Sequence, residues 1–242
     1  MALQLLNGID KQFGVMIIIT GASGGVGKFL FDTYTSLGEE VYGTYNSSRL
    51  DSIAGNGNYS KVDIVKFDEV ENWISSIGLL KDLVLINCAG ITYNAFAHKA
   101  DVDLWKGVIE TNLIGTFNVV RLVLPIMRQD NFGRIINFSS VVAQKATPGL
   151  SAYAASKAAL WGMSKSIAIE NASHGITVNN INLGYSELGM IEQVPEKYKE
   201  KVKSEIPAGV FCSKEDIFSC VEFIRRNEYL NGTSVDLNGG VF

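Results

Sequence analysis

"TGASGGVG", residues 20–27, stands directly after the apolar run "VMIII" of residues 15–19. Four glycines fall within eight residues just where a β-branched run ends. The residues that follow, "GVGKFLFDTYTSLG", carry the period of an amphipathic helix with a stop signal at Gly38. A strand, a glycine-rich turn and a helix in that order open a doubly wound α/β sheet. The glycines serve one of two ends. Either the turn is so tight that only residues without a Cβ can make it, or a phosphate must approach the amides of the helix N-terminus. The spacing of Gly21, Gly25 and Gly27 is G-x-x-x-G-x-G rather than the G-x-G-x-x-G fingerprint, so the loop alone leaves both open.

Outward from this loop the chain repeats the pattern. "VMIIIT" (15–20), "EVYGTY" (40–45), "LVLIN" (83–87), "RIINFS" (134–139), "ITVNNIN" (176–182) and "TSVDLN" (233–238) read as strands, with "YSKVD" (59–63) as a weaker one. Their nearly continuous apolar character suits strands covered on both faces. Helical segments lie between them, and "DLWKGVIETNLIGTFNVVRLVLPIM" is long enough for two successive helices or one bent one. This alternation predicts a single-domain, Rossmann-type doubly wound parallel sheet of about seven strands over residues 15–242, with helices on both faces. Residues 1–14 read as an N-terminal extension.

Composition narrows the function. Of 242 residues, 47% are hydrophobic and 19% charged, and the net charge is −4 without a Lys/Arg cluster. That argues against a nucleic-acid or anionic-membrane surface. The three cysteines match neither a disulfide framework nor a CxxC pattern, and the two histidines lack partners at metal-ligand spacing. No signal peptide is legible and no run reaches the roughly 18 apolar residues of a membrane span; a cytoplasmic location with reduced thiols is expected.

Chemistry enters at "FSSVVAQKATPGLSAYAASKAAL". Tyr153 and Lys157 are four apart on a helical segment and therefore share a face. An ammonium beside a phenol favours the phenolate. Bringing a tyrosine from near 10 to about 7 takes on the order of 4 kcal/mol, and a tyrosine so tuned performs general acid–base catalysis at neutral pH. Ser140 stands directly after "RIINFS", at the end of that strand, and strand ends of such sheets face the ligand crevice.

These motifs together resemble the short-chain dehydrogenase/reductase family from residue 15 to 242. "TGASGGVG" matches its T-G-x-x-x-G-x-G loop, and "NCAG" (Asn87, Cys88, Ala89, Gly90) resembles N-N-A-G with Cys88 in place of the second asparagine. Asn112 in "ETNLIGTFN" corresponds to the family's helix asparagine, Ser140, Tyr153 and Lys157 to its serine and Y-x-x-x-K pair, and "NGG" (238–240) to its closing segment. The resemblance implies an NAD(P)(H)-dependent carbonyl–alcohol oxidoreductase with a small-molecule substrate. Tyr153 would exchange the proton, Lys157 would lower its pKa and bond the nicotinamide ribose, and Ser140 would hold the substrate oxygen. Asn112 would fix a water leading to Lys157, or simply bond the backbone as a helix amide. The cofactor would rest on Gly21, Ser23, Gly25, Val26, Gly27, Asn87, Ala89, Gly90 and Gly184, with Asp63 at the adenine.

Where the second strand ends, an acid would hold the adenosine ribose of NAD. This chain has Tyr45, followed by Asn46, Ser47, Ser48 and Arg49, which favours NADP(H) over NAD(H); the basic residue that many NADP-binding relatives carry in the glycine loop is Gly24 here. Within the family the chain resembles 3-oxoacyl-acyl-carrier-protein reductases, with a substrate lid near 184–210. Two departures stand out. The arginines with which those enzymes dock an acidic carrier are Asn131 and His174, so carrier docking is not expected, and another small or sugar-linked ketone is the alternative substrate. The family's P-G-x-x-x-T segment, whose threonine bonds the nicotinamide carboxamide, has Leu183 and Leu188 instead; either the lost contacts loosen the cofactor, or backbone groups and Ser186 take over. A non-catalytic dinucleotide sensor is the rival reading, and a homo-oligomer, tetramer or dimer, is implied by resemblance.

Overall fold

The computed structural model describes residues 15–47, 58–189, 191 and 195–241, so the segment 1–14 and the Ser48 and Arg49 positions lie outside the described residues. Seven strands form one sheet: β1 (Met16–Thr20), β2 (Glu40–Tyr45), β3 (Asn58–Lys61), β4 (Leu83–Asn87), β5 (Gly133–Ser140), β6 (Ile176–Leu183) and β7 (Ser234–Leu237). Their order is β3-β2-β1-β4-β5-β6-β7, and every pair is parallel. The order reverses between β1 and β4, which opens a crevice beyond their carboxyl ends.

The strands are apolar throughout because both faces are covered. On β1, Met16 and Ile18 join the cluster under the helices α2 (Phe67–Ser76), α4 (Thr116–Asp130) and α5 (Ser151–Asn171), where Trp73, Val119, Val123 and Ile167 pack. Ile17 and Ile19 point the other way, to Leu30 and Phe31 of α1 (Gly25–Ser36) and Ile217 and Val221 of α7 (Lys214–Arg226). This is the period-2 alternation of a strand. Ser213 and Asp216 close a capping box at the start of α7.

The long apolar segment forms one continuous helical run: α3 (Val102–Ile109), a π-helical stretch Glu110–Gly115, then α4. By length and composition the run Val102–Asp130 is able to cross a membrane. Here Val119, Val120, Val123 and Met127 are fully buried against the sheet, the position of a core helix. In the lid region the described residues hold one helix, α6 (Glu196–Ser204).

A polar row crosses the centre of the sheet. Thr20, Asn87, Asn137, Asn180 and Ser234 are register neighbours on β1, β4, β5, β6 and β7. Asn87 Nδ2 donates to Asn137 Oδ1 (2.8 Å), Asn137 Nδ2 to Ser164 Oγ of α5 (3.0 Å), Ser164 Oγ to Asn180 Oδ1 (2.8 Å) and Asn180 Nδ2 to Ser234 Oγ (3.0 Å). Buried amides are tolerated because each finds a partner.

Candidate active site

The glycines of the opening loop differ in what surrounds them. Gly21 and Gly25 have φ of 67° and 49°, the left-handed region that glycine enters without penalty. A Cβ on Gly21 would lie 2.7 Å from Ala89 Cα, and one on Gly27 would lie 2.3 Å from Gly21 O. Those two are demanded by close packing of the turn, α1 and the Cys88–Ala89 segment that follows β4. Gly24 is different, since a Cβ there would meet nothing within 4 Å. It is the N-cap of α1, which has no side-chain cap and no acid in its first turn. The helix therefore presents amide groups and partial positive charge to the cleft, as an anion requires.

The cleft holds about 730 Å³. Tyr45, Asn46, Ser47 and Asp63 line it beyond β2 and β3, Gly21, Ser23, Gly25, Val26 and Gly27 along its floor, and Ala89, Gly90, Ser140, Tyr153, Lys157 and Gly184 beyond β4, β5 and β6. A dinucleotide fits this donor set: a bare helix N-terminus in the middle, a hydroxyl-rich turn at one end and a phenol–ammonium pair at the other. Asp63 is part-engaged, its Oδ1 accepting from Val65 N at 3.1 Å. Asn87 does not line the cleft; it belongs to the polar row.

Tyr153 and Lys157 come from the first two turns of α5, and Ser140 from the end of β5. Lys157 is 5% exposed and its Nζ lies 5.6 Å from the Tyr153 ring centroid. The ammonium donates to Phe138 O at 2.7 Å. Burial pushes its pKa down to about 8, opposed only by the nearby Cys88 thiol. The Tyr153 phenol is pushed up by burial, with a hydrogen bond to Ser140 pulling the other way. The expected lowering by Lys157 is thus not the dominant effect in this arrangement. The ammonium is turned to a backbone carbonyl, and desolvation of the phenolate outweighs the rest. At neutral pH Tyr153 holds its proton.

Asn112 sits in the π-helical stretch, fully buried. Its Oδ1 accepts from Ile91 N (2.8 Å) while Nδ2 donates to Ile91 O (2.9 Å) and Ser156 Oγ (3.0 Å). It acts as a clamp on the residue after Gly90, the backbone-bonding alternative of the sequence reading. The departures also find places. Leu183 and Leu188 pack on the same apolar cluster as Val26 and Cys88, and Ser186 Oγ donates to Leu188 O at 2.9 Å, so its hydroxyl is engaged within its own turn. Asn131 ends α4 in the left-handed conformation, and His174 Nδ1 lies 3.4 Å from its Oδ1. Sequence reasoning passed over Thr44, whose Oγ1 accepts from Gly21 N at 3.3 Å, and nothing in periodicity marks such a residue as lining a cleft; Cys88, Leu183 and Leu188, noted in the sequence as departures from the family's pattern, form an apolar wall of the cleft.

The family model for short chain dehydrogenase matches residues 15–199. The chain is 33% identical over 238 residues to a 3-oxoacyl-[acyl-carrier-protein] reductase of Salmonella typhimurium, covering 95% of this chain and 98% of the relative. It is 36% identical over 242 residues to the enzyme of that name from Thermotoga maritima, covering 94% and 98%. An acetoacetyl-CoA reductase of Shinella zoogloeoides is 35% identical over 242 residues, covering 93% and 97%. The crystal structure of a Brucella melitensis 3-oxoacyl-[acyl-carrier protein] reductase superimposes with a TM-score of 0.85 at 24% identity, over 94% of this chain and 91% of that one. With the sheet order, the glycine turn and the match of over half its length agreeing, the chain belongs to the short-chain dehydrogenase/reductase family of NAD(P)-dependent oxidoreductases.

Proposed function

We propose that the protein reduces the carbonyl of a 3-oxoacyl thioester, with Tyr153 as the proton donor. The observation that carries this is the Tyr153 phenol, which lines the glycine-floored cleft together with Ser140 and stands one helical turn from Lys157. The nicotinamide, when bound, supplies the hydride. The chain supplies the rest. Ser140 Oγ and the Tyr153 hydroxyl converge on one substrate oxygen, where negative charge develops. Tyr153, protonated at neutral pH, gives up its proton to that oxygen. Lys157, with a pKa near 8, stabilises the phenolate left behind and bonds the ribose. Gly21, Ser23, Gly25, Val26, Gly27, Ala89, Gly90 and Gly184 hold the dinucleotide; Asn87 and Asn112 shape its walls from behind.

A coenzyme-A thioester is favoured over a carrier-borne one. The Shinella relative bears the name acetoacetyl-CoA reductase. Asn131 and His174 present no cation pair to an acidic carrier, and Arg128 Nη1 is tied to Asn171 Oδ1 at 2.7 Å. NADP(H) is the preferred cofactor, because neutral Tyr45, Asn46 and Ser47 stand where an acid would repel a 2′-phosphate. The chain assembles as a homo-oligomer, its apolar Ile114, Phe117 and Ile169 being exposed at 45%, 42% and 82%. Acetoacetyl-CoA reduction followed with NADPH and NADH tests the reading. Wild type is expected to turn over with at least tenfold higher kcat/KM for NADPH. Tyr153→Phe is expected to lose about 10²–10⁴ in kcat while binding NADPH within threefold of wild type. An unaltered kcat in that variant refutes the assignment.

A further inference from the structure

We infer that Trp161 is a positioning residue for the reaction proposed above, on which this inference rests: its indole N–H fixes the Ser139 hydroxyl and thereby the seat of Lys157 and Ser140. Trp161 follows Lys157 by four residues on α5 and so lies one turn along the same face. Its Nε1 donates to Ser139 Oγ at 3.0 Å and to Asn182 Oδ1 at 2.8 Å. Ser139 Oγ in turn donates to Lys157 O at 3.0 Å. A hydroxyl has a single proton. By occupying the acceptor side of Ser139 Oγ, the indole leaves that proton directed at the Lys157 carbonyl. Lys157 is thus tied to β5 twice, by its carbonyl to Ser139 and by its ammonium to Phe138 O.

The buried face of α5 mixes the polar Ser156, Lys157, Ser164 and Asn171 with the apolar Ala152, Leu160, Ile167 and Ala168. The row beneath Trp161 is built to match. Ser139, Asn182 and Asp236 are register neighbours on β5, β6 and β7, and Asn182 Nδ2 donates to Asp236 Oδ1 at 2.6 Å. Ser139 and Asn182 are 4% and 1% exposed, so water does not replace a lost indole donor. Ser140 follows Ser139 directly, and Asn182 precedes the Leu183–Gly184 wall of the cleft. A slip of this row moves the reacting hydroxyls, and displacement of about 1 Å costs up to 10²-fold in rate.

Trp161→Phe keeps the ring and deletes the N–H. Ser164→Ala serves as the structural control, since Ser164 joins Asn137 and Asn180 in the neighbouring polar row and touches neither Lys157 nor Ser139. Both variants are expected to lower Tm. Only Trp161→Phe is expected to lower kcat, about tenfold, with KM for acetoacetyl-CoA and NADPH within twofold. The inference is overturned if Trp161→Phe keeps kcat within twofold, or if Ser164→Ala loses as much. Amide hydrogen exchange needs no turnover: peptides spanning 139–144 and 157–162 should exchange faster in Trp161→Phe alone, and an unchanged or chain-wide response sinks the proposal. A wild type that fails to reduce the thioester refutes the reaction and leaves this exchange arm to decide the role of Trp161.

Discussion

Lys157 carries its charge into a site that does not neutralise it: among the described residues no carboxylate pairs with the ammonium, and its partner is the Phe138 carbonyl. The cost shows as a folded-state pKa of about 8 against an ordinary 10.5. Between those values the unfolded chain binds the proton and the native protein does not, so native stability rises with pH across that window. Below about pH 8 the penalty is fully present, at most about 3 kcal/mol at 1.36 per unit. Lys157→Met is therefore expected to be more stable than wild type at pH 7 by about 1–3 kcal/mol, the lower end allowing for the orphaned Phe138 carbonyl. The advantage should shrink between pH 8 and 10.5. Urea unfolding across this range checks it, and a pH-independent difference contradicts the burial argument. The Y-x-x-x-K spacing was legible from the sequence. The direction of the Tyr153 pKa was not, because desolvation depends on what surrounds the phenol rather than on what sits one turn away.

At the scale of elements, the π-helical stretch Glu110–Gly115 is the feature periodicity left open between two helices and one bent one. A π turn brings an extra residue into the run without breaking it, so the apolar stripe continues and the pattern shows only an ambiguity. Asn112 uses the position to clamp Ile91, next to the cleft residues Ala89 and Gly90. Asn112→Ala removes one buried and two part-buried hydrogen bonds and takes away the side-chain partner of Ile91 N–H and C=O. A loss of about 2–3 kcal/mol is expected, read as a Tm lower by about 5–10 °C, together with a raised KM for NADPH as the 89–91 turn loosens. A Tm within 1 °C of wild type would show the clamp to be dispensable. The short strand β3 is displaced from the expected 59–63 to Asn58–Lys61, a shift of the size that edge pairing decides. Asp63 falls just beyond it and reaches the cleft.

Across the whole molecule, the sheet is covered on both faces by apolar helices, yet it is stitched through its middle by two rows of polar side chains. The outer surface of the long helices keeps Ile114 and Phe117 exposed, and the proposed assembly buries them. Light scattering should report a homo-oligomer for the wild type, and Phe117→Glu should shift it toward monomer, since a buried unpaired carboxylate at an interface is costly. A wild type that is monomeric at micromolar concentration would remove that part of the proposal.

By itself the sequence determined the element order, the parallel sheet, the glycine turn and the placing of Tyr153 one helical turn from Lys157, because each is written in local periodicity or in fixed spacing along one helix or turn. The tertiary structure alone decided which glycines are packed and which is open, that Asn87 faces the sheet while Ala89 faces the cleft, and that Trp161, Ser139 and Asn182 meet. Those facts depend on register between strands distant in sequence and on the depth of burial. A hydrogen bond between β5, β6 and α5 leaves no periodic mark on any one of them.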